Sequence, residues 1–188
     1  MTKNEILEIA KPILFNTEMV RAILDDRKSV TRMVISEKVK DTWLSRFWVC
    51  DKSNRCCKYQ VGDYLYVRET FNDTETDTIL YAADKEFVDF GCKEVNGFLF
   101  MESDIKWKPS IHMPKVAARI FLKVTDVRVE RLEEMTQEDC ILEGCGELSE
   151  EQFAHVWNST IKKTDLDHYG WDANPWVWVI EFEKVEVE

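Results

Sequence analysis

The chain has 188 residues, of which 45% are hydrophobic and 12% aromatic, and it carries a formal net charge of −11. These figures predict one globular domain with a substantial core, and they argue against a protein whose whole surface attracts phosphate. No apolar stretch of membrane-spanning length and no secretory leader occurs, so we expect a soluble, cytoplasmic protein with no membrane partner.

Charge is nevertheless distributed unevenly along the sequence. Basic residues prevail in residues 1–60 and 105–131, and acidic residues prevail in residues 61–104 and 132–188. If the fold brings the two basic segments together, a local anion-binding face forms on an acidic molecule. Two ordinary solvated faces would explain the same pattern.

The first predicted elements are a short buried strand at residues 12–15 and an amphipathic helix after it. Thr17 can cap this helix, whose apolar residues recur at helical spacing until about Asp26. Residues 29–35 are rich in β-branched side chains and predict a second strand. Residues 36–60 show weak periodicity, and we interpret them as an insertion.

The middle of the chain opens with a turn at residues 61–63. Residues 64–71 then predict a strong strand and residues 79–82 a shorter one. Residues 84–110 look irregular, and we interpret them as a second insertion. The alternating residues 117–132 predict a long strand.

The last third contains two helix starts and one apolar strand. Capping-box patterns begin at Thr136 and Ser149, and Gly144 can end the first of these helices. Residues 176–187 predict a strand that is apolar on both faces, which is typical of a barrel interior or of a strand under a helix. The whole pattern predicts an α+β fold, an incomplete β-barrel with at least three flanking helices.

Lys28 and Thr31 are the parts of an amine-activated hydroxyl nucleophile. Neighbouring cations such as Arg27 and Arg32 disfavour the charged amine, so Lys28 can lose its proton and take one from Thr31. A charged helix end that runs into a strand would explain the same residues. In a regular strand the two side chains point to opposite faces, so they converge only if the segment turns or bulges.

Cysteine and tryptophan residues offer weaker candidates. The six cysteines are expected to be mostly reduced thiols. Cys50, Cys56 and Cys57 do not reproduce a known zinc spacing, so we predict no metal and no cofactor. Trp171 lies in a predicted loop, where its ring can stack on a base or simply plug the core.

Several spaced segments carry a resemblance to a known family. They are Lys11–Phe15, Arg27–Arg32, Val61–Glu69, Trp107–Pro114, Thr136–Gly144 and Asn174–Trp178. With them the chain resembles the ASCH-domain family, whose fold is similar to the PUA domain of RNA-modifying proteins, and especially its longer members from phages and prophages. The resemblance implies a single PUA-like domain over residues 1–188, with insertions around 36–60 and 84–110.

The resemblance also implies a site. Some small bacterial members are amidohydrolases that remove the acetyl group from N4-acetylcytidine, and they use a lysine, a threonine three residues later and a remote glutamate. Lys28, Thr31 and Glu143 occupy the matching positions. The chain departs from the family pattern around the first two, with Asp26 for a glycine and Met33 for an arginine. A further departure is Ser29, where threonine is usual.

Two functions follow from the resemblance. One is an amidohydrolase acting on an acylated cytidine, and the other is a non-catalytic module that binds RNA or a modified nucleotide. The candidate substrate-binding residues are Arg32, Arg68 and Trp171, and the partner is a nucleoside or RNA. Glu143 can bind the cytosine edge, donate a proton to the leaving nitrogen or pair with Lys28. The net negative charge of the chain favours a small ligand over RNA, because each contact with an RNA phosphate needs a nearby cation.

Overall fold

The structure is a computed structural model that describes residues 1–36, 57–74, 78–146 and 149–187. The insertion predicted around residues 36–60 lies mostly outside these ranges. Within them, no helix is long and apolar enough to cross a membrane.

The described elements mix helices and strands. The helices are α1 (Lys3–Ile9), α2 (Thr17–Leu24), α3 (Lys85–Phe90), α4 (Gln137–Leu142), α5 (Glu150–Thr160) and α6 (Leu166–Tyr169). The strands are β1 (Lys11–Leu14), β2 (Val30–Val34), β3 (Tyr64–Arg68), β4 (Phe71–Asp73), β5 (Ile79–Tyr81), β6 (Cys92–Val95), β7 (Phe98–Met101), β8 (Phe121–Arg131) and β9 (Trp176–Val185). The predicted α+β class is therefore confirmed.

Five strands form one sheet in the order β1-β3-β8-β9-β2, and β4-β5 and β6-β7 form two-stranded sheets. Among the described residues no sheet closes into a barrel. The chain also divides into two compact units, one of Met1–Asp25, Tyr64–Leu122 and Lys184–Glu188 and one of Asp26–Asp63 and Lys123–Glu183. The single-domain interpretation stays a prediction.

In the first unit, β1 pairs in parallel with β3, so that Lys11 lies opposite Leu65. The strand β3 continues the sheet, because the Val67 amide donates to the Ile120 carbonyl at 3.0 Å. A buried apolar cluster packs beside these strands, and its members are Ile6, Ala10, Tyr66, Phe71, Met113, Ala117, Ala118 and Phe121.

In the second unit, β2 pairs antiparallel with β9, and Thr31 lies opposite Ile180. The strand β9 is buried on both faces, as its sequence predicts, with Val179 and Ile180 fully buried. The core of this unit joins strands to helices, and its members are Val30, Leu132, Cys140, Phe153, Trp157, Val177 and Val179. This core supports the candidate site.

Local chemistry explains the helix ends. The capping boxes predicted at Thr136 and Ser149 are both present, and Gly144 follows α4 with φ 81°. The predicted cap of α2 is wrong by one residue, because Asn16 accepts the Met19 amide at 2.8 Å and Thr17 is already helical. Either side chain can cap a helix, so the sequence alone does not separate them.

The interpretation of residues 84–110 as irregular is wrong. This stretch contains α3 and the hairpin of β6 and β7, whose two-residue turn is Asn96-Gly97. Both turn residues have positive φ, 52° and 79°, as a tight hairpin turn requires. The Asn-Gly pair is a strong hairpin signal that the apolar run after it obscured.

Two predicted strands also start or stop elsewhere. The strand predicted over 64–71 ends at Arg68, and Phe71 begins the separate strand β4. The long strand predicted from residue 117 begins at Phe121, because Lys115–Ala117 forms a 3₁₀ turn directly after Pro114. The helix α1 was not predicted, although Thr2 and Glu5 form a capping box at its start.

A matched pair of leucines tests the core of the first unit. Leu65 in β3 is fully buried, whereas Leu99 in β7 is 63% exposed. We expect Leu65→Ala to lower the free energy of unfolding by about 2–5 kcal/mol through lost burial and a residual cavity. Leu99→Ala should change it by no more than about 0.5 kcal/mol. Urea unfolding of both variants measures the difference, and equal losses would contradict this burial assignment.

Candidate functional site

Backbone pairing brings two sequence-remote segments together in the second unit. Lys28 and Glu143 form an isolated antiparallel bridge, and the Ser29 amide donates to the Leu142 carbonyl at 2.9 Å. Glu143 ends α4, where the left-handed Gly144 stops the helix. The turn before Lys28 includes Asp26 with φ 57°, a left-handed conformation that side-chain-bearing residues adopt rarely.

The Lys28 ammonium donates to three acceptors. Its Nζ lies 2.6 Å from Glu143 Oε2, 3.0 Å from the Glu143 carbonyl and 2.7 Å from the Val30 carbonyl. The side chains of Lys28 and Glu143 are 0% and 6% exposed. An ammonium has three hydrogens to donate, so this site satisfies all of them.

Arg32 holds the other side of the Glu143 carboxylate. Its Nη1 donates to Glu143 Oε1 at 3.2 Å, and its Nη2 lies 3.0 Å from Asp139 Oδ1. The Asp139 contact is an ion pair in which Nη2 is not aligned as a hydrogen-bond donor, and Nε of this buried guanidinium also lacks a partner in the described part of the chain. Arg32 therefore bridges the first turn of α4, through Asp139, and its C-terminal end, through Glu143.

Further charges extend this cluster along β8. Arg32 Nη2 lies 3.7 Å from Glu130, and Glu130 is also paired with Arg128. Arg128 in turn contacts Glu181 on β9 and Asp126 on its own strand. The resulting charge cluster contains Lys28, Arg32, Arg128, Asp126, Glu130, Asp139, Glu143 and Glu181. Five carboxylates face three cations, so the cluster is acidic as a whole.

Thr31 is not joined to this charge cluster by any of these contacts. It is buried within β2, and strand alternation places it on the face opposite Val30 and Arg32. The structure thus brings Lys28, Arg32 and Glu143 together through direct contacts. The predicted convergence of Thr31 with them stays a prediction.

The two remaining substrate-binding candidates take no part in the contacts of the charge cluster described above. Arg68 belongs to the first unit, where its guanidinium donates to the carbonyls of Met113, at 3.1 Å, and of Ile111. Trp171 belongs to the second unit and packs edge-on against Phe153, with ring centroids 5.8 Å apart. It also lines a cavity of about 340 Å³.

The described cysteines are thiols, and Cys50 and Cys56 lie outside the described residues. Burial and, to a smaller extent, the Glu143 carboxylate raise the pKa of the Cys145 thiol, which keeps it protonated and weakly nucleophilic. Within the described ranges, no three histidine, cysteine or acidic residues are grouped as metal ligands.

Sequence reasoning missed Asp139 and the charges on β8. Asp126, Arg128 and Glu130 alternate on one side of a predicted strand, and Asp139 precedes Glu143 by one helical turn. These spacings place the charges on common faces, so periodicity was the available signal. Their pairing with Arg32 depends on tertiary contacts that no local pattern encodes.

Comparison of the chain with protein-family models, curated proteins and solved structures gave no match.

Removal of Glu143 should destabilise the fold more than removal of Lys28. Glu143→Ala leaves two buried cations without their shared carboxylate, which we expect to cost about 3–5 kcal/mol of unfolding free energy. Lys28→Met should cost less, because Arg32 still neutralises Glu143. Denaturant unfolding of both variants, with the exposed Glu138→Gln as control, gives the order. A larger loss in Lys28→Met would show that Arg32 does not hold the carboxylate.

Acid sensitivity should depend on Asp139. Burial alone raises the pKa of Asp139, but hydrogen bonds from Thr136 and the positive charge of the nearby Arg32 guanidinium outweigh burial and lower this pKa. A carboxylate with a depressed folded pKa stabilises the fold above its unfolded value of about 3.9, and that stabilisation is lost as pH falls further. We therefore expect Asp139→Asn to show a shallower fall of unfolding free energy below about pH 4. The same slope in parent and variant would be evidence against this pairing.

Proposed function

We propose that this chain is an ASCH-type, PUA-like protein that recognises a nucleobase or nucleoside at the Lys28–Glu143 pair and removes an acyl group from an N4-acetylcytidine-like substrate. The observation that best supports this proposal is the 2.6 Å contact between Lys28 and Glu143, two residues 115 positions apart. The resemblance implies this meeting of a lysine with a remote glutamate. The open five-stranded sheet would be the incomplete barrel, and the protein would act in the cytoplasm.

The energetics of the pair favour a functional role. Burying two charges costs several kcal/mol per ion before their attraction is counted, and apolar side chains of similar volume often stabilise a fold equally well. Glu143 moreover ends a helix, where a negative charge is disfavoured by about 0.3–1 kcal/mol. Fold stability alone therefore does not explain why a carboxylate occupies position 143. Acid–base chemistry would need both the Lys28 amine and the Glu143 carboxylate.

The pair can carry out proton transfer in a balanced cycle. Lys28 first passes a proton to Glu143 Oε2 along their 2.6 Å contact, which leaves a neutral amine and a carboxylic acid. The amine then removes a proton from the attacking oxygen as that oxygen bonds to the acyl carbon. Glu143 next protonates the leaving N4, and the C–N bond breaks. Both residues return to their resting charges.

The attacking oxygen belongs either to Thr31 or to water. Attack by Thr31 forms an acyl ester on that residue, which a second, equivalent cycle hydrolyses to acetate. Attack by water gives acetate directly and uses the same two proton transfers. The position of Thr31 on the opposite face from Arg32 favours the water route.

The charge of the site favours a nucleoside over RNA. Five carboxylates surround three cations in the charge cluster. A phosphate backbone gains affinity by replacing counterions with lysine and arginine, and this site offers the opposite balance. A neutral acylated base does not suffer this repulsion.

A non-catalytic binding module is the second candidate. All three hydrogens of the Lys28 ammonium already have acceptors, so the resting state contains no free base. A module that only binds would keep this arrangement permanently. Measured turnover of N4-acetylcytidine by the parent chain distinguishes the hydrolase from the binding module.

Release of acetate from N4-acetylcytidine tests the proposal. We expect the parent to produce cytidine, and we expect Lys28→Met to lower kcat/KM by at least about 100-fold because the proton acceptor is lost. Thr31→Ala should retain most activity if water attacks. Lys123→Met, which alters a half-exposed lysine of the same unit, is the matched control.

The outcomes are distinct. Loss of activity in Thr31→Ala with an unchanged fold would establish the covalent route. Cytidine or RNA binding without turnover in the parent would favour the binding module. Unchanged turnover in Lys28→Met would overturn the assignment of the site.

A further inference from the structure

We infer that the cavity at Trp171 is a second binding site, one that takes a small organic cation, an amine or guanidinium group on an apolar body. The cavity has a volume of about 340 Å³ and is lined by Asn158, Leu166, Asp167, Gly170, Trp171, Asp172 and Ala173. This volume lies within the usual range for small-ligand sites. The inference goes beyond the proposed hydrolysis and does not depend on it.

Hydrogen bonds from α5 hold the cavity wall in place. Asn158 Oδ1 accepts the Trp171 amide at 2.8 Å, and Trp157 Nε1 donates to the Tyr169 carbonyl at 2.8 Å. Gly170 packs so closely that a Cβ there would lie 2.6 Å from the Leu166 carbonyl oxygen. The cavity is therefore formed before a ligand arrives, which lowers the entropic cost of binding.

The far end of the same loop is also fixed. Asn174 adopts a left-handed conformation with φ 44°, and its side chain donates to Glu133 at 2.8 Å. Arg131 donates to the Asn174 carbonyl at 2.8 Å and packs over the Trp176 ring. Trp171 is thus carried by a loop that is tied at both ends.

Charge decides which ligand suits this cavity. Asp167 and Asp172 are exposed, and neither takes part in the ion pairs of the described chain. They lie in the most acidic part of the sequence, since residues 132–188 contain 15 acidic residues and 3 basic ones. Carboxylates form strong, charge-assisted hydrogen bonds with ammonium and guanidinium groups.

The other walls suit the rest of such a ligand. Trp171 offers an aromatic surface, which attracts cations when they approach its face, and Leu166 and Ala173 are apolar. A phosphate or carboxylate ligand would be repelled by the two aspartates. A neutral base could stack on Trp171 but would leave both charges unused. An organic cation uses the carboxylates and the apolar walls together.

Phenethylamine and phenethyl alcohol form a matched pair of probes, because they have the same shape and differ in charge. Calorimetric titration should show that the amine binds the full chain at least about tenfold more tightly than the alcohol. The amine should also shift an indole N–H resonance that is absent in Trp171→Phe. Asp167→Asn/Asp172→Asn should weaken amine binding by at least about tenfold.

The control variant Glu138→Gln/Glu151→Gln removes the same charge from two exposed residues of the second unit outside the cavity, and it should bind the amine as the parent does. Lys28→Met should also leave amine binding unchanged, so loss of hydrolysis and loss of this site can be told apart. The inference is overturned if the alcohol binds as tightly as the amine, or if both double variants weaken amine binding equally.

Discussion

The second unit depends on one carboxylate. Glu143 stands at the end of a six-residue helix and neutralises two cations from a segment remote in sequence, Lys28 and Arg32. The backbone bridge between residues 28 and 143 places these charges, and the charges in turn fix the end of the helix. Removing the carboxylate therefore affects the strand, the helix and the candidate site at once, because buried cations cannot remain unpaired at low cost.

The same arrangement gives the site its chemical character. The carboxylate lies between a lysine that can exchange a proton with it and an arginine that cannot lose one at ordinary pH. Because Arg32 also pairs with Glu143, proton transfer from Lys28 in the proposed mechanism must be driven by the ligand or by a change in hydrogen bonding. In the proposed mechanism, the site stays at rest until a substrate displaces one of the three acceptors around the Lys28 nitrogen.

Features encoded over a few residues could be predicted from the sequence. The capping boxes at Thr136 and Ser149 are four-residue patterns, and the two-faced apolar strand β9 needs only alternation and composition. The α+β class follows from such elements. The hairpin at Asn96-Gly97 was equally local, and it was missed because the apolar residues after it do not alternate.

The candidate site was predictable only in part. The meeting of Lys28 with Glu143 was expected through the resemblance alone, since no local pattern relates residues 115 positions apart. The role of Asp139, which pairs with Arg32, depends on the packing of α4 beside β2 and could not be derived from spacing. Thr31 illustrates the opposite case, because strand periodicity already indicated that it would face away from Lys28 in a regular strand.

The three acceptors around the Lys28 nitrogen also protect the residue from unwanted chemistry. A surface lysine is a target for acyl donors and aldehydes in the cell, because its neutral form carries an accessible lone pair. The Lys28 side chain has no exposed surface, and each hydrogen of its ammonium is engaged. A reactive metabolite therefore finds neither a lone pair nor an approach path. The ion pair therefore keeps the Lys28 amine unmodified, as the proposed proton transfer requires.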